Sequence, residues 1–177
     1  MPMQLCLIRH TSVAVPPGTC YGWTDVPVSD NFEAEARVCK AQLGNLHFDS
    51  VYTSPLSRAR RLADYCGFAD AIVEPRMREM NMGDWEMRPF EGITDPELKE
   101  YFDHYLDAPT KNGESFRDLY RRVASFLDDL RQGGAQSVAV FCHGGPIMCA
   151  QVYAGLIPLQ EAYSHIPPYA SVTLLTL

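Results

Sequence analysis

Residues 5–12 read LCLIRHTS: four apolar side chains (Leu5, Cys6, Leu7, Ile8), then Arg9, His10 and two hydroxyl residues. A short unbroken apolar run fits a strand buried on both faces. A fixed cation and an imidazole directly after it need an anion, a partner or a crevice, because an isolated buried charge is strongly unfavourable. The same pattern recurs twice: VYTSPLSR (51–58) and VAVFCHGG (138–145) also run from apolar residues into Ser, His, Arg or Gly. Open, mainly parallel sheets bind ligands beyond the carboxyl ends of their strands. Three such strands therefore bring Arg9, His10, Arg58 and His143 to one sheet edge.

Working outward, strands are expected over 3–8, 48–53, 71–74, 137–142 and 169–177. Helical spacing connects them. Asp30 with Glu33 is read as the start of a helix carrying Phe32, Ala36, Cys39, Leu43 and Leu46 on one face, and Ser54–Pro55 as the start of a second ending at Gly67. Thr94 with Glu97 and Ser115 with Asp118 form two further capping boxes, the first before Leu98, Tyr101, Phe102 and Tyr105. A last helix follows Pro146 to about Gly155. Strands alternating with helices predict an α/β fold: a three-layer α/β/α sandwich with a mainly parallel central sheet, in one domain over 1–177. Two long irregular segments, 13–29 and 75–93, are candidate functional loops.

Composition narrows the partners. The 177 residues are 46% hydrophobic and 21% charged, ordinary for a globular chain, and the net charge is -7. That field repels nucleic acid and anionic membrane surfaces, so phosphate binding must be local. No membrane span or signal segment is evident, and a cytoplasmic location is expected. The six cysteines form no CxxC and are expected to be reduced and buried. Neither they nor the five histidines show metal-ligand spacing, so no metal or other cofactor is expected.

The chemistry at the strand ends suits an oxyanion. Arg58 lies in the first turn of its helix, where the macrodipole disfavours a cation unless an anion joins it, and helix-start amides favour oxyanions. A solvated arginine is the plain alternative there, and an internal carboxylate the alternative for Arg9. His10 and His143, ending separate strands, can share a crevice, one attacking phosphorus and the other donating to phosphoryl oxygens. Glu79, in the Met-rich RMREMNMGDWE, is a candidate proton donor. Asp84 and Glu86 compete with it, and composition does not choose among the three. The chain lacks a cysteine six residues before an arginine, a GxxxxGK loop and a GxSxG elbow, which disfavours other common phosphate and acyl chemistries.

Taken in order, LIRH, TSPLSRAR, MREMNMGDWE and CHGG resemble the histidine phosphatase superfamily, of phosphoglycerate mutase-like fold, over almost the whole chain. The resemblance implies that His10 is the nucleophile, that Arg9, Arg58 and His143 grip the phosphoryl group, and that Glu79 protonates the leaving oxygen. It implies Thr11, Tyr21, Gly22 and Gly144 as substrate-binding positions, with Asp84 and Glu86 shaping their loop. One departure stands out: the family usually has glycine after RH, where this chain has Thr11.

The segment between the acid loop and the second histidine is short for a mutase, which favours a phosphatase of a small phosphate ester. The RHTS…GTCYGWTDVPVS pattern is similar to alpha-ribazole phosphatase-like members of cobalamin synthesis. A broad-specificity phosphomonoesterase, a mutase-type phosphotransferase and a non-catalytic phosphate-binding module are the alternatives. A homodimer is the candidate assembly. Loops 13–29 and 75–109 are expected to line the leaving-group pocket, and Tyr21, Trp23, Trp85 and Tyr101 either stack on a ring there or belong to the core.

Overall fold

The computed structural model describes residues 2–177. Five strands, β1 (Gln4–Arg9), β2 (Ser50–Thr53), β3 (Ile72–Val73), β4 (Ser137–Cys142) and β5 (Val172–Thr176), form one sheet in the order β3-β2-β4-β1-β5. All neighbours are parallel except β5, which runs antiparallel along β1. Helices α1 (Phe32–Leu43), α2 (Ser57–Tyr65), α3 (Glu97–His104), α4 (Phe116–Gly133) and α5 (Gly144–Tyr153) complete the fold.

Alternation along the strands builds two cores. Leu5, Leu7, Val138 and Val140 face α4 and α5, meeting Phe116, Leu119, Val123 and Ile147. Cys6, Ile8, Ala139 and Phe141 face the other way, onto Phe32, Ala36, Cys39 and Leu62 of α1 and α2. The three layers are those expected from the apolar runs. All six cysteines are buried and unpaired. Among the described residues no helix is long and apolar enough to cross a membrane.

Several helix starts differ from the sequence expectation. The Ser115–Asp118 box forms as read, with the Asp118 N–H donating to Ser115 Oγ at 3.2 Å and the Ser115 N–H to Asp118 Oδ2 at 3.0 Å. The starts of α1 and α2 meet distant residues instead. Helix α1 begins at Phe32 without a side-chain cap, and Glu35 instead binds the N–H and hydroxyl of Ser12, at 2.7 and 2.5 Å. Helix α2 begins at Ser57, whose N–H and hydroxyl both donate to Asp25 Oδ1, at 2.8 and 2.7 Å. Pro96 precedes α3, so Thr94 and Glu97 form no capping box. Leu46 and Phe102, expected on buried faces, are exposed. A 3-10 helix at Leu159–His165 was not foreseen, and β5 begins three residues later than expected.

Candidate active site

Strand register decides where the chemistry falls. Arg9 pairs with Cys142 across β1 and β4, and Thr53 with Phe141 across β2 and β4. His10 and His143 therefore leave adjacent parallel strands at one level, with Ser54 on the third strand one residue short of it. The ladder extends one step beyond: the His10 N–H donates to Cys142 O at 3.1 Å and the Ser54 N–H to Phe141 O at 2.8 Å. The two imidazoles lie with ring centroids 5.1 Å apart.

The tautomer of His10 follows from its partner. Nδ1 lies 2.7 Å from the Thr11 carbonyl, which only accepts, so Nδ1 carries the proton and Nε2 the lone pair. Burial first and then the Arg58 cation lower the His10 pKa to about 3; the Thr11 bond opposes them, by more than Arg9 adds. His10 is neutral at ordinary pH. His143, buried completely, is held well below its usual pKa by burial and then by Arg58.

His143 Nε2 lies 2.7 Å from Ser54 Oγ, which also accepts the Leu56 N–H at 3.3 Å. If Ser54 accepted from His143 too, its own buried proton would have no acceptor. We assign Ser54 as the donor, which puts the His143 proton on Nδ1. Nδ1 has no partner among the described residues.

The two arginines are anchored by carbonyls rather than carboxylates. Arg9 Nη1 donates to Pro167 O at 2.5 Å, and its guanidinium lies 4.1 Å from the centre of the Tyr169 ring. Arg58 has no exposed surface and donates from Nη2 to Gly22 O at 2.6 Å and from Nη1 to Thr24 O at 2.9 Å. The Nε of each arginine and the Thr11 hydroxyl are buried without partners, as is His143 Nδ1. Among the described residues no carboxylate hydrogen-bonds to either guanidinium, and donors left over in this way suit an oxyanion. The helix amides expected to do this work are partly spoken for: Asp25 holds that of Ser57, and Glu79 that of Gly145.

The three competing carboxylates separate by their contacts. Glu79 faces the same cavity as His10 and Arg9, its Oε2 accepting the Gly145 N–H at 3.1 Å and its Oε1 the Met80 N–H at 2.8 Å. Glu86 accepts the N–H groups of Gly22 and Trp23, at 3.0 and 2.7 Å, and the Thr24 hydroxyl at 2.8 Å. Asp84 binds the Asn112 amide at 2.8 Å. Glu86 and Asp84 shape loops, as the resemblance implied. Gly22 also serves structure: Glu86 and Arg58 take its amide and carbonyl, and a Cβ there would overlap the Met80 carbonyl.

Tyr21, Gly144 and Gly145 line the cavity, of about 490 Å³. Tyr101 does too, whereas Trp85 is core and donates to Asp95 at 2.8 Å, and Trp23 lies against the Arg78 guanidinium. Thr11, Arg58 and His143 are buried and do not contribute to the cavity wall.

Two contributors were missed in the sequence. Tyr169 sits on Arg9, packs 5.7 Å from the His10 ring and meets the Tyr21 hydroxyl at 3.2 Å. Ala170 takes the left-handed conformation at φ 55° and donates its N–H to His10 O at 3.0 Å, which fixes Tyr169 in place. Arg122 of α4 donates to the carbonyls of Arg76, Arg78 and Glu79 at 2.6 to 2.7 Å and forks onto Glu114 at 2.8 and 3.0 Å. Its only sequence signal was position on a helix that packs beside the acid loop.

Relatives share this chain over most of its length. Phosphoserine phosphatase 1 of Hydrogenobacter thermophilus is 30% identical over 82% of this chain and 72% of its own. Adenosylcobalamin/alpha-ribazole phosphatase of Salmonella typhimurium is 29% identical over 81% of this chain and 75% of its own. A crystal structure of phosphoglycerate mutase from Thermus thermophilus superposes with a TM-score of 0.77 at 30% identity, covering 97% of this chain and 92% of that one. The fold is thus phosphoglycerate mutase-like, and the family supports a phosphatase or mutase. With two imidazoles and Arg9 at adjoining strand ends, Arg58 in the first turn of α2, and residues 5–177 matching the family model, the chain belongs to the histidine phosphatase superfamily, branch 1.

Proposed function

We propose that the protein is a metal-independent phosphomonoesterase that works through a phosphohistidine on His10. One observation carries the reading: a neutral His10, its lone pair fixed on Nε2, lies 5.1 Å from the His143 ring and feels the Arg58 and Arg9 charges, while Arg9, Thr11, Arg58 and His143 each keep a buried polar atom without a partner. Nε2 attacks phosphorus in line and forms the N–P bond as the P–O bond to the leaving group breaks. The leaving oxygen takes a proton from the Glu79 carboxyl. Positive charge arising on the ring is met by the Thr11 carbonyl at Nδ1, while Arg9 and Arg58 balance the phosphoryl oxygens. His143 Nδ1–H and the Thr11 hydroxyl donate to those oxygens, Thr11 in place of the usual glycine. Water then attacks phosphorus, giving its proton to Glu79. The N–P bond breaks, and inorganic phosphate departs.

The loop pattern around Tyr21 and the Salmonella relative support alpha-ribazole phosphate as a candidate substrate, with broader phosphomonoesters as the alternative. A mutase-type phosphotransferase is the second reading, favoured by the Thermus neighbour. His10→Ala should abolish release of phosphate from a generic aryl phosphate, and a chelator should leave wild-type release intact. Wild-type rates in His10→Ala would remove the mechanism.

A further inference from the structure

The cavity has two unlike ends. At the first stand Arg9, His10 and Glu79; among the described residues that line the cavity, Arg9 is the one fixed cation. The second end is walled by rings. Tyr101 and Phe102 lie 5.5 Å apart, Phe90 and Phe102 6.1 Å, and Tyr105 and Tyr163 4.9 Å, centre to centre. Met80, Met82 and Met148 also line the cavity, with polarizable sulfur suited to flat ligands.

The phenol groups of this end are engaged with the protein. Tyr105 donates to Gln160 O at 3.0 Å, and the Tyr101 and Tyr163 hydroxyls lie 3.4 Å apart. The surface continues the same chemistry outward, since Phe102, Tyr163 and Ile166 are 58%, 39% and 49% exposed at lining positions. A leaving group held here leaves water for rings and thioethers. An apolar body gains by that transfer, at roughly 25 cal/mol per Å². A carboxylate loses its hydration and meets no cation, because Arg9 is committed to the phosphoryl end.

Resting on the phosphatase reading for the position of the phosphoryl group, we infer that this annex selects esters whose leaving group is an uncharged, ring-bearing alcohol, and that it rejects carboxylate-bearing esters. Phosphoserine, named in one relative, and phosphoglycerate, named in another, both carry a carboxylate close to the ester oxygen. On this inference neither is a good substrate here. This chain's annex sets its own selectivity.

The test compares matched pairs that differ by one carboxylate. Benzyl phosphate should be hydrolysed with kcat/KM at least about tenfold above 4-carboxybenzyl phosphate, and further above O-phosphoserine. The inert benzylphosphonate should bind more tightly than 4-carboxybenzylphosphonate by calorimetry, which reads the annex without turnover. Phe102→Arg, at an exposed mouth position, should narrow or invert both ratios. Equal or better use of the carboxylated ester, or equal binding of the two phosphonates, overturns the inference while leaving the phosphatase intact. Discrimination between the phosphonates with no turnover of any ester upholds the annex and overturns the phosphatase reading.

Discussion

The two ends of the cavity were built by different means. The phosphoryl end draws on residues that directly follow β1, β2 and β4, so parallel register alone brings His10 and His143 level, with Ser54 one residue short of them. The leaving-group end is assembled from α3, α4, α5 and the two segments that flank them, and owes its shape to side-chain packing. The first end is rigid and polar, the second apolar and composite. Reaction type is thus held by backbone pairing, which tolerates sequence change elsewhere.

That contrast can be broken at its junction, where Glu79 faces both ends. Glu79→Gln should lower kcat by about 10² to 10⁴ for an alkyl phosphate, with a much smaller loss for p-nitrophenyl phosphate, whose leaving group needs no proton. Equal losses on both would show that Glu79 acts otherwise. Gly145→Ala comes next: a Cβ there would overlap Glu79 Oε1 and crowd Leu119. Displacing the carboxyl should cost about 10²-fold in kcat on alkyl esters, with KM little changed in steady-state assays.

A smaller effect is expected from Arg122→Lys, which keeps the charge but loses the fork that binds three carbonyls and Glu114. Denaturant unfolding should show a loss of about 1–3 kcal/mol, and the penalty in kcat should be confined to poor leaving groups. A lysine variant as active as wild type on alkyl esters would detach Arg122 from the acid loop's function.

The smallest expected effect is a slope in pH. His10 has its folded pKa lowered from 6.5 to about 3, so between those values the unfolded chain binds the proton and the folded one does not. Stability from this source is complete above about 6.5 and falls as pH drops toward 3, by at most about 1.4 kcal/mol per pH unit. His10→Asn should flatten the fall in unfolding free energy between pH 7 and 5. An unchanged slope would mean that the imidazole is not shielded as its burial implies.

Legibility in the sequence followed the same division. The strand ends could be read because polar residues abut apolar runs, and the Ser115–Asp118 box because both partners sit within one turn. The Asp25 cap on Ser57, the Glu86 grip on Gly22 and Thr24, and the Arg122 clamp could not, since their partners lie 32 to 64 residues away. Glu79, Asp84 and Glu86 looked alike in composition and differ only in whom they touch. The annex aromatics were equally ambiguous: Tyr101 lines the cavity, while Trp85, a few residues from Met80 and Met82, is core. Leu119, Met148, Tyr163 and Ile166 gave no sign of a cavity at all.

The central claim is that His10 takes the phosphoryl group on Nε2. Rapid quench of the wild-type protein with an aryl phosphate, followed by peptide mass spectrometry under alkaline conditions, reads this directly. The account predicts an acid-labile, alkali-stable phosphoryl group on the peptide holding His10, formed fast enough to be an intermediate and absent in His10→Ala. Turnover with no such adduct, or with the phosphoryl group on another residue, would contradict it.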